Sequence, residues 1–115
     1  MNRGDLVLIK YPFSNLQGTK VRPALVISSD KFNKHNRDAL FILITSNISN
    51  RQAVDYLIDR NHPDFHQTFL KKTSLVKVDK IVCLMQSLAK RKLGTISQSI
   101  QGDIDKILKD VLGLT

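Results

Sequence analysis

One cysteine, Cys83, stands among 115 residues, so no disulfide can form within the chain. Small domains that lack a sufficient core rely on disulfides or metals. A chain of this length is expected to bury a real core without them, as a single domain spanning residues 1–115. The same scarcity of cysteine fits a reducing compartment, and Cys83 reads as a small hydrophobe on a strand. Long apolar runs are missing too: the longest, such as Ala39 to Ile44, are far below the roughly 20 residues a membrane-spanning helix needs. Asp5 arrives before any apolar run develops, so no secretory leader is expected and the reading is cytoplasmic. Metal chemistry has thin support. His62 and His66 are four apart around Asp64, but Pro63 argues against a helix there, and no cysteine lies near to complete a site. No nucleophile elbow, Gly-rich phosphate loop or paired-carboxylate signature occurs. No metal and no cofactor are expected.

Negative charge is scarce as well. Ten acidic residues face eighteen Lys and Arg, leaving a formal charge of +8. That balance favours a polyanionic partner: nucleic acid, an anionic membrane surface or an acidic protein segment.

The apolar pattern organises what is present. Leu6 to Ile9, Pro23 to Ser28 and Ala39 to Ile44 read as buried strands, the last ending in the polar cluster Thr45-Ser46-Asn47. Asp30 to Asp38 is a basic excursion with room for one helical turn. Ala53 to Ile58, Thr73 to Val78 and Ile81 to Leu84 are further strands, the last two joined by a bend or a bulge. Gln86 to Leu93 is assigned a short helix stopped by Gly94. Ser97 then caps a long helix whose Ile100, Ile104, Ile107, Leu108, Val111 and Leu112 form one stripe, with Gly113 as the stop. Strands first and a helix last imply an α+β domain with a mostly antiparallel sheet.

Candidate chemistry gathers around Arg22. Tyr11 to Lys20 is rich in turn residues and reads as an exposed loop, so Arg22 stands where that loop meets a core strand. Sequential strands usually neighbour each other, which brings Thr45 and Ser46 beside the arginine. A guanidinium forks onto phosphate and hydroxyls donate to the same oxyanion, an arrangement suited to phosphoryl chemistry. Lys20 and the loop amides add to the field. Spacing alone equally accommodates a structural ion pair from Arg22 to Asp5 or Asp30, which is the commoner outcome.

Arg3-Gly4-Asp5, Tyr11 to Leu16, Gly18 to Ile27, Leu43 to Ser46, Thr73-Ser74, Val78 to Ile81 and Leu93 to Ser97 together resemble the PemK/MazF family of toxins. The Gly-x-x-x-Arg-Pro-Ala-Leu-Val pattern is the specific part, and Asn47 to Lys72 carries little of the likeness. The resemblance implies a small SH3-like, mostly antiparallel β-barrel with a long C-terminal helix, of the type shared with CcdB. It implies a homodimeric toxin of a type II toxin–antitoxin system that cleaves single-stranded mRNA at short motifs without metal. The 2′-hydroxyl attacks the adjacent phosphate, leaving a 2′,3′-cyclic phosphate and a 5′-hydroxyl. Arg22, Thr45 and Ser46 fall on the catalytic positions; Phe13, Asn15, Thr19, Lys20 and Lys80 are the RNA-binding candidates. An acidic antitoxin competes for the same surface, with DNA bound only through that complex. One departure is visible: Lys80 and Val82 occupy positions where the MazF branch often has Gln and Arg, which bears on base preference. A CcdB-like gyrase poison and an inactive RNA- or antitoxin-binding homologue are the alternatives.

Overall fold

The computed structural model describes residues 1–10 and 21–115. The loop read from Tyr11 to Lys20, with Phe13, Asn15, Thr19 and Lys20, lies outside them.

Among the described residues six antiparallel strands form one sheet: β1 (Asp5–Lys10), β2 (Val21–Val26), β3 (Asp38–Thr45), β4 (Asp55–Ile58), β5 (Ser74–Met85) and β6 (Ala89–Thr95). Their spatial order is β4-β5-β3-β2-β1-β6. Helix α1 (Asp30–His35) links β2 to β3, and α2 (Gln98–Leu112) closes the chain. The expected α+β class, antiparallel sheet and long final helix are present. The sheet is open, since the edge strands β4 and β6 do not pair with each other. Beside β6 lies a 3-10 turn, Phe65–Thr68, approached so closely that a Cβ on Gly94 would stand 2.3 Å from the Gln67 carbonyl oxygen. That segment covers the β6 edge in place of a strand.

Two apolar clusters account for the strand pattern. One gathers Leu6, Leu25, Ile42, Ile44, Ile58, Val76 and Val78 against Ile100, Ile104 and Leu108, the inward stripe of α2. The other, with Val7, Ile9, Ala24, Val26, Ala39, Phe41 and Leu84, fills the opposite face. With both faces covered, the strands read as unbroken apolar runs. The α2 termini follow the sequence cues: the Ser97 hydroxyl accepts from the Ile100 amide at 3.3 Å, and Gly113 turns left-handed at φ 71°.

The bend or bulge expected between Thr73–Val78 and Ile81–Leu84 is a bulge-like irregularity within one twelve-residue strand, β5. Its register slips where Ile42 faces Ile81 while the next residue, Leu43, faces Lys77. The helix expected from Gln86 to Leu93 is a correction. Only Gln86–Leu88 turns, and Ala89–Thr95 is strand β6, paired with β1. Tertiary pairing overrides local preference there. The Gln86 side-chain amide is spent on the carbonyls of Asn33 and Asn36, at 2.7 and 2.8 Å, holding the turn to α1.

Candidate functional site

Arg22 and Thr45 are brought together by strand register. Ala24 faces Leu43 and Leu25 faces Ile42, so the same ladder carried outward sets Arg22 opposite Thr45. Each backbone is held on its far side as well, Arg22 by Ile9 of β1 and Thr45 by Leu75 of β5. The cation and the hydroxyl therefore sit on rigid strands, which fixes geometry better than loops do.

Two clefts meet at this end of the sheet. One is lined by Arg22, Thr45 and Ser46 with Leu43, Asn47, Lys77 and Lys80. The other shares Arg22, Thr45 and Ser46 and continues past Phe69, Lys71 and Lys72 to Arg91. Arg22, Thr45, Ser46 and Lys80 are thus assembled as the sequence suggested. Among the described residues, no aspartate lines either cleft. In a groove of one charge sign with apolar walls the field of the cations adds up, which favours an anionic ligand.

Arg22 is exposed, and it has no ion-pair partner among the described residues. Both acids that competed for it in the sequence are engaged elsewhere. Asp5 meets Lys92 at 3.3 Å and accepts from the Asn2 amide at 2.9 Å. Asp30 accepts from the Arg3 amide at 2.7 Å. Thr45 is half-buried, and its Oγ1 accepts from the Asn47 amide at 3.1 Å. That bond occupies an oxygen lone pair and leaves the hydroxyl proton to donate. Lys80 reaches the cleft from the irregular stretch of β5; its contact with Asp79, at 3.7 Å between exposed groups, is weak. Lys77 is different in kind, held at 2.7 Å by the buried Asp55 carboxylate.

Lys71, Lys72, Phe69 and Arg91 were missed in the sequence. The run Phe69-Leu70-Lys71-Lys72 is a visible signal, an aromatic beside paired cations, but it falls in the stretch with least family likeness. Arg91 was hidden by the helix assigned to its segment. His62 is engaged locally: its Nδ1 accepts from the Asp64 amide at 3.0 Å. Among the described residues no three His, Cys, Asp or Glu side chains cluster closely enough to hold a metal ion.

The fold and this cleft define a class of small sheet-and-helix α+β proteins presenting a basic, hydroxyl-lined groove at one sheet end. Residues 2–112 match the family of PemK-like, MazF-like toxins of type II toxin-antitoxin systems, and the chain belongs to it. No curated protein matches the sequence. Among solved structures, an endoribonuclease in complex with its cognate antitoxin from a mycobacterial species is 20% identical. That match covers 100% of this chain and 97% of the other, at a TM-score of 0.76. MazF from Deinococcus radiodurans is 18% identical over 99% of this chain and 97% of its own, TM-score 0.77. The Mycobacterium tuberculosis toxin MazF-mt6 is 15% identical over 96% and 98%, TM-score 0.76. At such identities the likeness is one of fold.

Proposed function

We propose that this toxin is an endoribonuclease acting on single-stranded mRNA without a metal ion, with Arg22, Thr45 and Ser46 as its catalytic residues. The observation that carries the reading is the state of Arg22. Among the described residues it is an exposed guanidinium without an ion-pair partner, in a cleft lined by hydroxyls and cations and by no carboxylate. The reaction is an internal transfer. The ribose 2′-oxygen bonds to the adjacent phosphorus, the bond from phosphorus to the 5′-oxygen breaks, and the proton lost from the 2′-hydroxyl is matched by one gained on the leaving oxygen. Products are a 2′,3′-cyclic phosphate and a 5′-hydroxyl. Arg22 forks onto the non-bridging oxygens as their charge grows, and the Thr45 and Ser46 hydroxyls donate to the same group. Lys80, with Phe13, Asn15, Thr19 and Lys20, binds the RNA strand. The working form is a cytoplasmic homodimer, and an acidic antitoxin segment covers the same basic surface until it is removed. Two structural relatives are described as toxin–antitoxin complexes, which supports the partner's kind.

Incubation of the purified protein with long single-stranded RNA in EDTA tests this reading. Cleavage with 2′,3′-cyclic phosphate ends is expected, and Arg22→Ala is expected to lower the rate by about two to three orders of magnitude. Intact RNA, or an Arg22→Ala variant as active as the parent, would sink it. A pull-down that recovers gyrase alongside intact RNA would favour the CcdB-like alternative.

A further inference from the structure

Phe69 is the most exposed of the large hydrophobic side chains described, at 70%, ahead of Leu114 near the chain end at 61%. Its neighbours Phe65 and Leu70 both pack against the core, so the segment has apolar anchors without it. Phe69 is also the sole non-glycine residue with positive φ among those described, at φ 57° and ψ 20°. The left-handed region is costly for any side chain with a Cβ, and a bulky residue there points to a use beyond folding.

The backbone beneath it is fixed from three sides. Thr68 is fully buried, and its hydroxyl donates to the Phe65 carbonyl at 2.7 Å and accepts from the Leu70 amide at 3.1 Å, bracketing Phe69. The Phe69 amide itself donates to the His66 carbonyl at 3.3 Å. Below, Gly94 of β6 comes so close to the Thr68 carbonyl that a Cβ would meet its oxygen at 2.7 Å. The result is an aromatic ring held out on a rigid pedestal. It lines the cleft shared by Arg22, Thr45 and Ser46, with Lys71, Lys72 and Arg91 around it.

We propose that Phe69 is a stacking platform for a nucleobase of single-stranded RNA, with Lys71 and Lys72 holding the phosphates that flank it. The inference rests on the endoribonuclease reading and adds a base-binding subsite to it. An aromatic face amid cations is the arrangement that binds unpaired bases, because every base offers a π-face and its backbone offers the charge. Pre-setting the ring on a fixed backbone lowers the ordering cost of binding. Duplex RNA, whose bases are already stacked, fits the platform poorly.

The chain contains no tryptophan, so Phe69→Trp installs a single indole reporter at the site. In an Arg22→Ala background that prevents turnover, titration of Phe69→Trp with single-stranded RNA is expected to quench the indole fluorescence. Duplex RNA of the same sequence and inorganic polyphosphate are expected to leave it nearly unchanged. Phe69→Ala should weaken single-strand binding by about 5- to 150-fold, the range for one stacked base. Phe69→Gly should weaken it equally while leaving the melting temperature unchanged or higher, since glycine takes the left-handed conformation without strain. A protein that cleaves RNA while Phe69→Ala binds within twofold of its parent overturns the platform and leaves the nuclease reading standing. A protein that neither binds nor cleaves RNA overturns both.

Discussion

Arg22 is available because the fold sets both acids toward the other end of β2: Arg22 faces Ile9, Leu25 faces Leu6, the neighbour of Asp5, and Asp30 opens α1 beyond Val26. Lys92 takes Asp5, and the Arg3 amide takes Asp30. Spacing in the sequence left both acids open to Arg22, since a one-dimensional reading cannot show which cation a fold delivers to which carboxylate. Thr45 was legible as a hydroxyl at a strand end. Its bond from the Asn47 amide, which leaves the hydroxyl proton to donate, depends on the turn that follows. Thr45→Val should therefore lose about 1.5–3 kcal/mol of transition-state stabilisation, roughly ten- to hundredfold in kcat/KM, while Thr45→Ser keeps most activity. Lys77, in the same cleft, carries a structural load. Asp55 is 3% exposed and its Oδ1 has no hydrogen-bond partner among the described residues, so its charge leans on Lys77 and the Gln52 amide. Lys77→Met should destabilise the fold by about 3 kcal/mol in urea titrations, because it strands a buried carboxylate.

At the level of elements, legibility followed the strength of the local pattern. The first three strands and α2 stood out because continuous apolar runs and a full stripe leave one physical solution each. Gln86 to Thr95 did not, since Leu88, Ala89 and Leu93 suit either period and only pairing with β1 selects the strand. The irregularity of β5 was anticipated between Val78 and Ile81, and its partners fix the details: two adjacent residues of β3 set the two ends of the slip. Glycines separate the two kinds of information well. Gly102 has open space around its would-be Cβ, so Gly102→Ala should stabilise α2 by about 1 kcal/mol, read as a raised melting temperature. Gly94 lies 2.3 Å from backbone through its would-be Cβ, so Gly94→Ala should cost roughly 1–3 kcal/mol. It should also disturb the pedestal of Phe69. The sequence shows two glycines of like appearance; the contacts tell them apart.

Across the whole molecule, α2 is tied to the sheet by polar contacts as well as by its stripe. Arg3 grips Asp105 with two hydrogen bonds, at 2.8 and 3.3 Å, and the Tyr56 hydroxyl donates to Asp103 at 2.9 Å. For Asp105, partial burial works upward, but the hydrogen bonds from Arg3 and Gln101 and the charges of Arg3 and Lys109 outweigh it and hold the carboxyl below its usual range. Its stabilising share is therefore present above the unfolded carboxylate pKa and lost as pH falls through the lowered folded value. Both partners are about one-third exposed, so Asp105→Asn should cost no more than about 1 kcal/mol at neutral pH, and the difference from the parent should vanish in acid. Tyr56 moves the other way. Burial, then the hydrogen bond and charge of Asp103, push it up to about 12. Stability from that contact is full below pH 10 and drains as pH rises toward 12, which Tyr56→Phe should abolish in alkaline melts. Charge acts at this scale too. The clefts hold Arg22, Lys71, Lys72, Lys80 and Arg91 besides the paired Lys77. Single-strand binding should weaken with salt at a log–log slope of about −3.5 if all five meet phosphates.

By itself the sequence determined the α+β class, the central strands, the capped final helix and the basic character, and it raised the expectation that Thr45 lies beside Arg22. Each of these follows from composition, from a period, or from the tendency of successive strands to lie side by side. Only the tertiary structure decided that Arg22 lies away from Asp5 and Asp30, that β6 is a strand, and that the sheet stays open with Phe65–Thr68 covering its edge. It alone also set Phe69, Lys71, Lys72 and Arg91 around the same cleft. Those outcomes turn on contacts between residues distant in the chain, where competition among partners, and not local pattern, selects the result.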